Sequence, residues 1–326
     1  MKPQLLVILL AFSQVHADEI EIVGTVRFSG NVLESEDLSA IAFFGDGQFL
    51  AIGADEGTAI QILRRTDDRQ FAVSHTIDLV DSPSDDEIDI EGIAYSNNGR
   101  LYVIGSHSRK RPTIKATKSS KKNRKRLESN EPEPLRRKLF ELRIDNNGNL
   151  TDEIQVTSLE SRIASDVILA PFAAVPSKEN GVDIEGVAAV GDEVYAAFRG
   201  PVLREGHVPM LKFDFDKPNQ AELLLINLGG RGIRDIARVD DGFLLIGGPV
   251  GDEPISYELY HWNGEDGVEG KNATPPVRRL GTVLPPNQLA KAEGLAVIEQ
   301  VDKYYDVLVV FDGIEGGAPT VLRVKR

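Results

Sequence analysis

The chain of 326 residues contains no cysteine, one tryptophan and two methionines. Without cysteine there can be no disulfide framework and no C-x-x-C site, and a chain of this length buries enough apolar surface not to need crosslinks. Several sequence signatures are also missing: the G-x-S-x-G elbow, H-E-x-x-H, the phosphate-binding loop and the dinucleotide fingerprint. "GGRGIRD" from Gly229 has the glycines of a nucleotide motif but opens no helix. Beyond residue 17, no run approaches the ~20 apolar residues that a membrane-spanning helix requires.

The first residues, MKPQLLVILLAFSQVHA, carry Lys2, an apolar stretch from Leu5 to Phe12 and a Val15-His16-Ala17 cleavage site. They read as a secretory signal. The expectation is a soluble, exported protein, periplasmic or secreted, that begins near Asp18 and forms one monomeric domain over 18–326.

Charge is unevenly spread around a formal net value of −14. The stretch RKRPTIKATKSSKKNRKRLESNEPEPLRRK, Arg109 to Lys138, holds 13 Lys and Arg against 3 Glu, whereas the rest from Asp18 onward holds 23 basic against 48 acidic residues. An acidic body therefore bears a basic insertion at about 108–138. Poor in apolar residues, the insertion reads as a solvated loop that leans on its own acidic body or contacts an anionic surface. Nucleic acid is not the expected partner, because the acidic remainder repels phosphate and no aromatic residues interleave with the charges.

Internal repetition carries the fold. Five segments align: DLSAIAFFGDGQFLAIGAD from Asp37, DIEGIAYSNNGRLYVIGSH from Asp89, DIEGVAAVGDEVYAAFRG from Asp183, GIRDIARVDDGFLLIGGP from Gly232 and KAEGLAVIEQVDKYYDVLVVFDG from Lys291. Each reads as strand, tight turn, strand, and two further strand-like runs follow each of the first four. The fifth is followed only by PTVLRVKR, while EIEIVGTVRF from Glu19 precedes the first repeat. The N-terminal strand thus completes the last blade, as in a closed β-propeller. The pattern predicts an all-β fold of five four-stranded blades. The long interval between the second and third repeats leaves room for a sixth.

In a propeller the first strand of each blade lines the central channel. One column of these strands reads Ser39, Glu91, Glu185, Arg234 and Glu293. The ends of the second strands return to the same rim and bring His107, Arg109, Arg199, Arg204 and Asp312, while Asp235 follows Arg234. Clustered carboxylates repel one another unless a cation holds them. Glu91, Glu185, Glu293 and Asp312 are accordingly candidate ligands for Ca²⁺ or another divalent ion, or else clasps between blades. His107 and Glu185 are the catalytic candidates, and Arg109, Arg199, Arg204, Arg234 and Asp235 the candidates for binding a small anionic molecule or ester. The Asp that opens each DIEG reads as a turn residue bonding backbone, and the Gly after Glu as a place of close packing.

GSHSRKR, RGPVLREG, GGRGIRD, EGLAV and VVFDG, in this order, resemble an uncharacterised bacterial domain-of-unknown-function family associated with phytase-like and esterase-like propellers. The resemblance spans nearly the whole chain after residue 17 and implies a propeller with a polar site at its mouth. The phytase-like association implies calcium and phosphoesters. Gluconolactonase-like propellers, a likeness at the level of fold, use a Glu-Gly at a blade start as a metal ligand. Two functions follow as expectations: a metal-dependent phosphoester or carboxylic-ester hydrolase, and a propeller that binds a ligand or partner without chemistry.

Overall fold

The computed structural model describes residues 20–80, 87–268, 270, 271 and 275–326, so the segment read as a signal lies outside it. Five sheets form a ring of five blades, each of them with four antiparallel strands. The N-terminal segment is shared between two blades: β1 (Ile20–Thr25) is the outermost strand of the last blade, and β2 (Arg27–Ser29) adds a parallel fifth strand to the first.

The first blade is β3 (Leu38–Phe44), β4 (Phe49–Ala54), β5 (Ala59–Asp67) and β6 (Gln70–Asp78). In the second, β7 (Ile90–Ser96) and β8 (Arg100–Gly105) are separated from β11 (Leu139–Arg143) and β12 (Gln155–Thr157) by the basic insertion. That insertion is a structured arm. A short hairpin of β9 (Arg109–Lys110) with β10 (Glu131–Pro132) closes its base, and α1 (Ser120–Glu128) forms its tip. The third blade is β13 (Asp183–Val190), β14 (Glu193–Gly200), β15 (His207–Asp214) and β16 (Glu222–Asn227). The fourth is β17 (Gly232–Val239), β18 (Gly242–Gly248), β19 (Tyr257–Trp262) and β20 (Val277–Val283). The last is β21 (Lys291–Val301), β22 (Tyr304–Asp312) and β23 (Thr320–Lys325), closed by β1. The interval that left room for a sixth blade is filled by the arm, the short helix α2 (Glu160–Ser165) and two single-turn helices.

The apolar core lies between blades. One cluster joins the first and second blades, one runs through the second, third and fourth, one joins the fourth and last, and one joins the last and first. The inner strands are buried on both faces, whereas the outer β12 is largely exposed. Glycine after the column carboxylate lets adjacent inner strands touch. A Cβ on Gly92 would stand 2.7 Å from the Val187 backbone nitrogen.

All five inner strands break register with their neighbours at the same column: Ser39, Glu91, Glu185, Arg234 and Glu293 each sit at a β-bulge. A bulged residue is left out of the ladder and its strand bends, which re-aims the side chain. Five bulges at one level therefore deliver five polar side chains to one place.

Candidate functional site

That place is the mouth of the channel, where a cavity of about 610 Å³ lies between the ring of inner strands and the arm. Its floor carries Glu91, Glu185 and Glu293, ringed by Asp55, Asp89, Asp183 and Asp312. Arg199 and Lys291 stand among them, and Lys110, Arg111, Lys115, Arg126 and Arg136 come from the arm. The site is thus acidic below and basic above.

Cross-blade and cross-hairpin ion pairs organise the floor. Arg234, in the fourth blade, donates to Glu293 of the last blade and lies 3.1 Å from Glu185 of the third. Arg199 pairs with Glu185 at 2.6 Å and also with Asp183, which the hairpin register sets beside it. The same register puts Lys291 opposite Asp312, with which it pairs. Arg136, only 4% exposed on a single turn just before β11, reaches from the base of the arm to Asp89 and Glu87. Asp89 and Asp183 are therefore partners of buried arginines, in place of the turn role expected of them. Ser39 bonds the Ile90 carbonyl of the next blade.

Two carboxylates that face the cavity have proton affinities near neutrality. Burial, reinforced by Asp312 and Asp37, pushes Asp55 up to about 7, and its Oδ1 is buried with no hydrogen-bond partner among the described residues. Burial pushes Asp183 up to about 7 against the pull of Arg199. Glu91 makes no ion pair with a described residue, and burial, then Glu185 and Asp89, hold its carboxyl well above the usual range.

Of the residues selected from the sequence, Glu91, Glu185, Glu293, Asp312 and Arg199 line the mouth. Arg234 lies in the floor between two of the carboxylates. Four others lie elsewhere. The chain leaves β8 through a left-handed turn at His107 (φ 55°), which carries the ring away from the mouth. His107 and Arg109 instead line a separate cavity of about 210 Å³ beside α2. The imidazole is buried, with Nδ1 2.8 Å from the Gly105 carbonyl and Nε2 accepting from the Leu159 N–H at 3.1 Å. Burial lowers its pKa to about 4, so it is a neutral structural histidine. Arg109 spends its guanidinium on the Ala173 and Asn130 carbonyls. Arg204 is exposed on the periphery beside Glu205. Asp235 is an interblade clasp, one oxygen accepting from the Ile236 N–H at 2.7 Å and the other from Leu295 of the last blade at 2.6 Å.

Among the described residues, Glu91, Glu185, Glu293 and Asp312 do not bring three carboxylate oxygens within 4.8 Å of one another. The Arg234 guanidinium stands where a cation shared by Glu185 and Glu293 would be. Among the described residues, the one trio of potential ligands whose oxygens all lie within 4.8 Å of one another is Glu34, Asp37 and Glu56, in the loops flanking the first hairpin.

Asp55 and Arg136 were not selected. Asp55 ends the second strand of the first repeat as Asp312 ends that of the fifth, so the column that yielded one contains the other. Arg136 is one of 13 basic residues in its segment, and nothing in the local pattern separates it.

A family profile described as "Protein of unknown function (DUF3616)" matches residues 37–318. Among curated proteins none matches the sequence. Solved structures similar to the chain include hydrazine synthase of Kuenenia stuttgartiensis, at 14% identity over 87% of this chain and 58% of that one, TM-score 0.41. An exo-β-1,3-galactanase of Phanerochaete chrysosporium shares 8% identity over 94% of this chain and 64% of its own, TM-score 0.48. The PQQ-bound aldose sugar dehydrogenase of Streptomyces coelicolor shares 12% identity over 94% and 97%, TM-score 0.41. The chain spans less than two thirds of the first two, and overlaps this loose carry no information on activity.

Proposed function

As the chain belongs to the family of proteins of unknown function DUF3616, we propose from the site itself that it binds a small dipolar molecule in the roofed mouth. Such a ligand has an anionic group at one end and a hydroxyl- or amine-bearing body at the other. The observation that carries this reading is the layering of charge across a cavity of about 610 Å³, with carboxyl groups on the floor and arm cations above. Lys115 and Arg126 of that roof make no ion pair with a described residue and are available to an anionic group. Glu91, whose carboxyl is held well above the usual range by burial and its acidic neighbours, and the carboxylates around it offer hydrogen bonds to hydroxyls or amines. Calorimetric titration with sugar phosphates, sugar acids and amino acids tests the reading. Binding that weakens in the Lys115→Gln and Arg126→Gln variants supports it, and a protein indifferent to the whole panel sinks it.

Hydrolysis of an ester carried by such a ligand is a second reading, favoured by Asp55. A cavity-facing carboxyl with a pKa of about 7 and an oxygen without a partner among the described residues has the proton affinity of a general acid or base at neutral pH. Turnover of phosphate or carboxylic esters that survives chelation and is lost in Asp55→Asn would support it. Turnover that requires an added divalent ion would restore the metal-dependent alternative. The reading also includes export through residues 1–17, checked by N-terminal sequencing of the protein recovered from outside the cytoplasm.

A further inference from the structure

The arm is divided into two electrostatic halves. At its base the cations are paired: Lys110 and Arg136 with Glu87, Arg111 with Glu179, and Arg137 with Glu160. At its tip Lys115, Lys118, Lys121, Lys122, Arg124 and Lys125 are all exposed, and none makes an ion pair with a described residue.

The tip is a folded knob and not a loose tail. Ser119 caps α1 by accepting from the Lys122 N–H at 3.4 Å, and Asn123 staples it by bonding both the N–H and the carbonyl of Lys115, at 3.0 and 2.9 Å. Two apolar side chains are exposed on the same knob, Ile114 at 61% and Leu127 at 52%. No residue of α1 is buried, so helix packing on the body explains neither the charge nor the exposed aliphatics.

We propose that this knob docks the protein on a bilayer surface of anionic phospholipid, with the lysines among the headgroups and Ile114 and Leu127 at the acyl boundary. Charge complementarity argues for an anionic partner. The aliphatic pair and the absence of any aromatic residue between Arg109 and Lys138 argue for lipid over nucleic acid, which would need stacking platforms. Leu127 also lines the mouth cavity, so docking would bring the entrance to the membrane surface.

The test is co-sedimentation with vesicles of phosphatidylcholine, alone or with about 30% phosphatidylglycerol. Both the full chain and a chain beginning at Asp18 are used. The latter keeps every described residue and removes the apolar N-terminal run, whose binding would not depend on lipid charge. The expected result is binding to the anionic vesicles only, weakening as salt rises. The combined change Lys121→Gln, Lys122→Gln, Lys125→Gln should lower the partition coefficient about 100-fold, roughly fivefold per charge, with an unchanged melting temperature. Ile114→Ser with Leu127→Ser should lower it about tenfold. Equal partition onto neutral vesicles, or a triple variant that binds like wild type, overturns the proposal. So does tighter binding to duplex DNA than to anionic vesicles at the same salt, which would reassign the knob to nucleic acid.

Discussion

The two ends of the channel are built from the same five strands and share almost no chemistry. At the mouth the column residues are Ser39, Glu91, Glu185, Arg234 and Glu293. Two to four residues further along each strand, a second cavity of about 130 Å³ is lined largely by aliphatic and small side chains, among them Ala42, Ala94, Ala188, Ala237 and Ala296. The bulge marks the boundary. On one side of it the column carries a charged side chain in four of the five blades, and on the other the inner hairpins run in register from the bulge through an alanine at the same position of every blade. A functional rim can therefore be held in place by a packed base only a few ångströms away, because a shift in bulge register would move both ends at once.

The largest effect should come from unbalancing the charged end. Arg234→Met leaves Glu293 without its cation in a buried floor and Glu185 with Arg199 alone, and should cost about 3 to 5 kcal/mol. Urea denaturation of wild type and variant measures it, and an unchanged midpoint would show that the floor does not depend on this guanidinium. Carrying the charge to the other end is nearly as severe. Ala188→Asp places a carboxyl in that narrow cavity, among aliphatics with Arg238 as the one cation of the lining, and should cost about 2 to 3 kcal/mol by the same assay. If it is tolerated, the far end is wet and the contrast between the ends fails.

The next effect concerns Asp55. Its folded pKa of about 7 lies above the unfolded value of 3.8, so the native state holds the extra proton in that interval and stability falls as pH rises through it. Wild type should lose about 1 to 2 kcal/mol more than Asp55→Asn between about pH 5 and about pH 8, since the amide stays neutral throughout. Parallel stability profiles would show that Asp55 does not titrate there. The smallest effect belongs to the arm tip. Replacing residues 116–125 by a Gly-Ser linker should move the melting temperature by less than about 2 °C, because that stretch buries nothing on the body. A larger loss would make the knob part of the mouth's support.

Much of the architecture was legible in the sequence because it repeats. Five hairpins of one pattern, four of them with glycine in a short turn, and a spare strand at the N-terminal end where the last repeat is one strand short were enough to read the blades, their closure and the column that lines the mouth. Close packing at the glycine after Glu was readable for the same reason. What one strand's pattern does not contain is the distance between side chains on different blades. Arg234 and Glu293 are 59 residues apart, and that the first pairs with the second and lies between it and Glu185 is visible only in three dimensions. His107 misled because its rim position was inferred from a straight continuation of β8, and one left-handed residue turned it away. Arg136 was hidden by composition: a charge run reads as solvated, and the one member that is buried looks like the rest.

The shared N-terminal segment has a kinetic consequence. β1 pairs with β23 from Ile20 opposite Val324 to Thr25 opposite Thr320, with a bulge at Val23, while β2, one residue beyond β1, is already tied to the first blade. Joining the ends across some 300 residues costs about 5 kcal/mol of loop-closure entropy by the logarithmic rule, with no local contact to offset it in advance. Ring closure is then the late, slow step of folding, after the blades have formed from their own hairpins. Until it happens, β23 presents an open edge to any neighbouring chain, and a second copy's β1 fits that edge as well as its own. At high concentration, refolding should therefore divert part of the protein into strand-exchanged dimers whose blades are each complete, but completed by another molecule.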